Sequence, residues 1–196
     1  MTQLFKPIFW LGIFLLAAVN LHAGETVKVS LKGAPLTLGG KIIQVGETLP
    51  DIALPDRSLK MIGMQSTKGS VAIVSVVPSL DTPTCEKQTH ILSEENGGLH
   101  KDAKLITISR DLPFAQKRFA KGAHIENIIF LSDYRDASFG EATGLLIEEN
   151  RLLARAVMVL DEKGVVRYLE IVPELSQLPD MKKAFAFTRS LLKQRH

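Results

Sequence analysis

One cysteine, Cys85, stands in the whole chain of 196 residues. It closes the run Val76-Val77-Pro78-Ser79-Leu80-Asp81-Thr82-Pro83-Thr84-Cys85, with Thr82 three residues ahead of the thiol and two prolines, Pro78 and Pro83, in the same segment. A solitary thiol can form no intramolecular bridge, so Cys85 is a buried structural group, an intermolecular partner or a nucleophile. A lone cysteine is more often buried and inert than reactive, and its surroundings must decide. The apolar run from Val71 to Val77 ends at Pro78, and a helix is expected from Cys85, so the thiol falls at the carboxyl end of a strand and in the first turn of a helix. Reaction sites in α/β sheets favour that edge, and the unpaired amides and positive dipole end of a helix start favour a thiolate there. That placement favours a nucleophile over a core cysteine. The Thr82 hydroxyl is positioned either to meet the sulfur or a reacting oxygen, or to cap the helix through a backbone amide. Pro78 and Pro83 fix loop angles and remove competing amides, which ordinary turn prolines also do.

The elements that must carry this loop follow from periodicity. Val71 to Val77 is nearly continuous and β-branched, as in a central strand buried on both faces; Leu105 to Ile108, Ile128 to Leu131 and Ala156 to Leu160 are similar. Asp161-Glu162-Lys163-Gly164 reads as a tight turn into Val165 to Val172, which predicts a final antiparallel hairpin. At the other end, Val27 to Leu31, Leu36 to Leu38 and Lys41 to Ile43 are expected to form an N-terminal β-hairpin. Helices are expected over Cys85 to about Glu95, Pro113 to about Lys121, Ser138 to about Thr143 and Asp180 to about Lys193, with Asp111 as the cap ahead of Leu112-Pro113. Gln65 to Gly69 and Ser176 to Asp180 read as loops. Strands alternating with helices and ending in a hairpin predict an α/β sandwich around a mixed central sheet.

The composition, 45% hydrophobic and 23% charged, is that of an ordinary globular domain, and one domain is expected. The net charge of +3 is mild and the basic residues are scattered, so nothing points to nucleic acid. Lys6, the apolar run Ile8 to Val19 and the small Ala23 before Gly24 have the order of a secretory signal peptide. That run is short for a membrane span. The expectation is therefore cleavage of residues 1–23, a domain over 24–196 and export, most naturally to a bacterial periplasm; a retained anchor is the other possibility. Exported domains built on disulfides carry more cysteines than one.

The Pro78 to Cys85 run resembles the peroxidatic loop of peroxiredoxins, whose pattern is Pro-x-x-x-Thr-x-x-Cys. Asp111-Leu112-Pro113-Phe114-Ala115-Gln116-Lys117-Arg118-Phe119, Leu131 to Asp136 and Leu153-Ala154-Arg155-Ala156-Val157 further resemble, in order, the bacterial thiol peroxidase subfamily. The resemblance runs from about Thr26 to Leu192. It implies a thioredoxin-like fold with an N-terminal β-hairpin, and a thiol-specific peroxidase acting on hydrogen peroxide and organic hydroperoxides through a Cys85 sulfenic acid. By the same resemblance, Pro78 shields the site, Thr82 hydrogen-bonds thiolate and peroxide, and Arg155 is the active-site arginine, its fixed charge stabilising the thiolate and the leaving oxygen. From its local sequence alone, Arg155 reads as a surface strand residue. Arg135 is a weaker candidate, a structural support paired with a nearby carboxylate. No metal or organic cofactor is implied, since sulfur itself carries the two-electron chemistry. A homodimer is implied, with the apolar face beside the loop as its expected contact.

This chain departs from the subfamily at Ala120, where a resolving cysteine usually follows the Arg-Phe pair. With no second thiol, the sulfenic acid must meet an external thiol, a thioredoxin-like or other partner's cysteine, or Cys85 of a second copy, which is a 1-Cys mechanism. The competing reading is a non-catalytic thioredoxin-fold binding or redox-sensing module. A disulfide oxidoreductase would need Cys-x-x-Cys and fails on the residues themselves.

Overall fold

The computed structural model describes residues 27–194. The signal-peptide expectation therefore lies outside the described residues. Five strands form the central sheet in the order β7-β6-β5-β8-β9: β5 (Val71–Val76), β6 (Ala103–Ser109), β7 (Ile129–Ser132), β8 (Ala156–Leu160) and β9 (Val166–Ile171). Strands β5, β6 and β7 are parallel; β8 runs antiparallel to β5, and β9 antiparallel to β8. The sheet is mixed, as the sequence predicts.

The nearly continuous apolar strands make sense once the pleat is considered. Successive side chains point to opposite faces, so Ala72, Val74 and Val76 of β5 join one apolar cluster with Ala156, Met158 and Leu160 of β8. Val71, Ile73, Val157 and Val159 join the other, together with Cys85 and Leu92 of α1 (Pro83–Glu94), Ala120 of α2 (Pro113–Gly122) and Met181, Ala184 and Phe185 of α4 (Met181–Lys193). With both faces covered, no position on these strands is free to be polar by default. The first face is closed by α3 (Ser138–Thr143), through Phe139, and by the segment bearing Ile43, Leu49, Ile52 and Leu54.

The N-terminal hairpin is present, with β1 (Val29–Leu31) antiparallel to β2 (Ala34–Leu36), but its turn falls at Lys32-Gly33 and Lys41 to Ile43 is not a strand. That segment instead lies against the end of α3, where the Ile43 amide donates to the Thr143 carbonyl at 2.9 Å. Gly144 makes the approach possible. It adopts φ +68°, and a Cβ there would come within 2.5 Å of the Lys41 carbonyl oxygen. A second short hairpin, β3 (Ala53–Pro55) with β4 (Met61–Gly63), has no counterpart in the sequence reading. Three-residue strands show too little alternation to be seen; their turn is fixed locally by the Asp56 carboxylate, which accepts from the amides of Ser58 and Lys60. Residues Met64–Thr67 form a 3-10 turn that overlaps the stretch Gln65 to Gly69 expected to be loop.

Candidate active site

The β5 ladder ends where the Val77 amide reaches the Ile108 carbonyl at 3.0 Å, and the buried Pro78 follows with no amide to continue it. The chain turns through Ser79 to Thr82 and enters α1 at Pro83, two residues earlier than predicted, because a proline at the first helical position has its angle already set and leaves no amide to satisfy. Cys85 is thus the third residue of α1, on its inner face, and its side chain is wholly buried at 0% exposure. The first helical hydrogen bond runs from the Glu86 amide to the Thr82 carbonyl at 3.0 Å.

Thr82 occupies the N-cap position with extended backbone, but its hydroxyl does not cap the helix. The hydroxyl donates to the Ser79 carbonyl at 3.1 Å, on the exposed side of the loop. The sulfur's hydrogen-bond donor is Arg155, whose Nη2 lies 3.3 Å from Sγ. The surface reading of Arg155 is overturned, since the residue is 2% exposed. It directly precedes β8 and shares the parity of Val157 and Val159, so its side chain is directed to the sheet face covered by α1 and α4. No local sequence pattern reveals which face of a buried sheet receives the charge.

The guanidinium is held at three points. Nε donates to the Leu175 carbonyl at 2.8 Å, Nη1 to Gln88 Oε1 at 2.8 Å, and Nη2 to the sulfur. Gln88 is in turn fixed by its amide group, which donates to Ser75 Oγ at 2.8 Å and to the Ala156 carbonyl at 3.3 Å. Sequence reasoning missed Gln88, although a signal existed: it sits three residues after the thiol, on the same face of α1 as Cys85 and Leu92. None of the ion pairs among the described residues includes Arg155. A buried cation among neutral acceptors is costly, and of the groups it touches only the sulfur can take up a negative charge.

The capping role expected of Asp111 is also corrected. The helix starts at Pro113, so the N-cap position belongs to Leu112, and Asp111 stands one residue too early. Its carboxylate turns back to accept from Ser79 Oγ, the Leu80 amide and Ser109 Oγ, each at 2.7 Å. Arg135 is exposed and joins no ion pair among the described residues. The support in that motif comes from buried Asp133, which accepts from the amides of Phe139 and Gly140 at the start of α3; burial raises its carboxyl above the ordinary value. Ala120 is buried in the apolar cluster that contains Cys85. Among the described residues no group of three or more His, Cys, Asp or Glu gathers to hold a metal ion.

Comparison with known proteins agrees with this geometry. The redoxin family pattern matches residues 44–185. A thiol peroxidase of Bacillus subtilis is 44% identical over 166 residues, covering 85% of this chain and 99% of that protein. One from Staphylococcus aureus (strain MRSA252) is 42% identical over 164 residues, covering 84% and 99%. Among solved structures, a peroxiredoxin-like protein from Aquifex aeolicus superposes with a TM-score of 0.79 at 35% identity, covering 84% of this chain and 97% of that one. A thiol peroxidase from Chromobacterium violaceum superposes at 0.74 with 22% identity over 87% and 99%, a likeness of fold alone. This chain belongs to the redoxin family and, within it, to the thiol peroxidases.

Proposed function

We propose that this protein reduces hydrogen peroxide and organic hydroperoxides at Cys85 and is returned to its starting state by an external thiol. The observation that carries this reading is the Arg155 guanidinium at 3.3 Å from the buried sulfur. The Cys85 thiolate attacks the terminal oxygen of ROOH; an S–O bond forms, the O–O bond breaks, and the departing RO⁻ takes a proton to leave as alcohol or water. The Arg155 charge offsets the charge moving onto that oxygen. The Thr82 hydroxyl, its own proton held by the Ser79 carbonyl, accepts from the peroxide O–H and so orients it, and Pro78 walls the site from solvent.

The Cys85 sulfenic acid then condenses with one external thiol, releasing water and leaving a mixed disulfide, and a second thiol displaces Cys85 as thiol. The sum is ROOH plus two thiols giving ROH, water and one disulfide. Because Cys85 is the only cysteine in the sequence, the resolving sulfur comes from another molecule. A non-catalytic binding role leaves the arginine buried against the thiol without purpose.

The test is to mix reduced protein with one equivalent of hydrogen peroxide and a sulfenic-acid trap, timing adduct formation at Cys85 by intact mass. Trapping within seconds supports the peroxidase; a rate no faster than that of free glutathione rejects it. Export to a periplasm is proposed from the Lys6 to Ala23 pattern, and a periplasmic extract should contain protein with the mass of residues 24–196. A homodimer is proposed through the face beside the loop, where Leu112 and Phe114 are 50% and 61% exposed; sedimentation of the double Leu112→Ser/Phe114→Ser variant as monomer would support it.

A further inference from the structure

We propose that Asp111 is a positioning residue for the reaction with peroxide, holding Ser79, and through Ser79 the Thr82 hydroxyl, in the loop that leads into Cys85. The proposal rests on the peroxidase reading above. Two of the three donors to the Asp111 carboxylate, Ser79 Oγ and the Leu80 amide, belong to that loop, each at 2.7 Å. Bonds to an ionised acceptor are short and stronger than neutral ones. Ser79 is the point where the loop's own polar groups converge: its hydroxyl oxygen accepts from the Asp81 amide at 3.2 Å, and its carbonyl accepts from the Thr82 hydroxyl at 3.1 Å. Fixing Ser79 therefore fixes the direction from which Thr82 approaches.

Asp111 is itself anchored outside the loop. Its amide donates to Ser109 Oγ at 3.4 Å, its carbonyl accepts from Ser132 Oγ, and Ser109 Oγ also accepts from Gln116 Nε2 at 3.1 Å. These partners are the last residues of β6 and β7 and a buried side chain of α2. Asp111 thus joins a turn-rich loop, through its carboxylate, to the ends of two strands, held by its carboxylate at β6 and its carbonyl at β7. None of its hydrogen bonds reaches Cys85 or Arg155, so any effect it has on the sulfur passes through the loop.

The experiment measures two rates at Cys85 in the full chain: sulfenic acid formation with hydrogen peroxide, and alkylation by iodoacetamide, which needs a reactive sulfur but no oriented oxygen. Asp111→Ala is expected to slow the peroxide reaction by between about tenfold and about a hundredfold, the scale of a small misplacement at a reacting centre. Alkylation should hold or quicken as the loop loosens. Asp111→Asn should recover most of the peroxide rate, because its oxygen can accept from the Leu80 amide and Ser109 while its NH2 donates to the Ser79 hydroxyl oxygen. If Asp111→Ala does not fold by circular dichroism, Ser79→Ala should show the same split more weakly. An unchanged peroxide rate, a parallel fall in both rates, or no recovery in Asp111→Asn overturns the proposal. A wild-type Cys85 that meets peroxide no faster than glutathione does removes the peroxidase reading itself.

Discussion

The two walls around Cys85 are built differently. The inner wall, Arg155 with Gln88 and Ser75, is buried, anchored in β5 and α1 and at the start of β8, and saturated with hydrogen bonds of 2.8 to 3.3 Å. The outer wall, Pro78 to Thr82, is a loop whose Thr82 side chain is exposed and whose attachment depends on Asp111. Charge must be placed before the reaction and must not move, so it belongs in the sheet. Peroxide must enter and alcohol must leave, so the orienting group belongs on a segment that can yield.

Substitutions at Arg155 and Thr82 separate those walls, and Cys85 is what both serve. Cys85→Ser abolishes both functions together and should reduce peroxide consumption to the uncatalysed background in a coupled thiol-oxidation assay. Arg155→Ala attacks the inner wall. It should lower the second-order rate with peroxide by on the order of 10²- to 10³-fold, the usual cost of one preorganised donor at a developing charge, and stopped-flow kinetics would show whether the loss is that large. Thr82→Val keeps volume and removes only the outer wall's hydroxyl; a smaller loss, about tenfold, is expected for one neutral hydrogen bond, with the alkylation rate of Cys85 unchanged. Should Thr82→Val cost more than Arg155→Ala, the division between the walls is wrong.

Gln88→Ala tests whether the inner wall must be saturated. It strands Arg155 Nη1 and Ser75 Oγ in the interior, a cost of about 1–3 kcal/mol, which thermal melting should register as a fall of about 2–4 °C per kcal/mol in a chain this long. The smallest effect lies away from both walls. The Glu174 carboxyl is pulled down to about 2 from 4.5, chiefly by the Ser176 hydroxyl and then by the amides of Lys32 and Gly33. A depressed carboxyl stabilises the folded chain above its unfolded value and loses that contribution as pH falls through the folded one. The Lys32 and Gly33 amide resonances should therefore shift with a midpoint near 2; a midpoint near 4.5 would mean the clamp on the β1–β2 turn is not formed.

The sequence by itself determined the sheet's strands, the site of the nucleophile and the absence of any internal resolving thiol. Long apolar runs such as Val71 to Val76, broken only by Ser75, and Ala156 to Leu160 are legible because burial on both faces leaves little room for polar residues, and a strand ending at a proline in the loop ahead of a lone cysteine points to a site. Only the tertiary structure decided what surrounds the sulfur. Arg155 lies 70 residues beyond Cys85, and Gln88 looks like any polar helical residue until strand parity and helix phase bring the two together. Asp111 reads as a helix cap, the local role its sequence position suggests, yet its carboxylate spends its hydrogen bonds on Ser79 and Leu80, more than thirty residues earlier. Local patterns encode which apolar runs are buried and, to within a few residues, where elements begin; which buried groups touch, Arg155 included, depends on long-range packing, which short-range periodicity does not record.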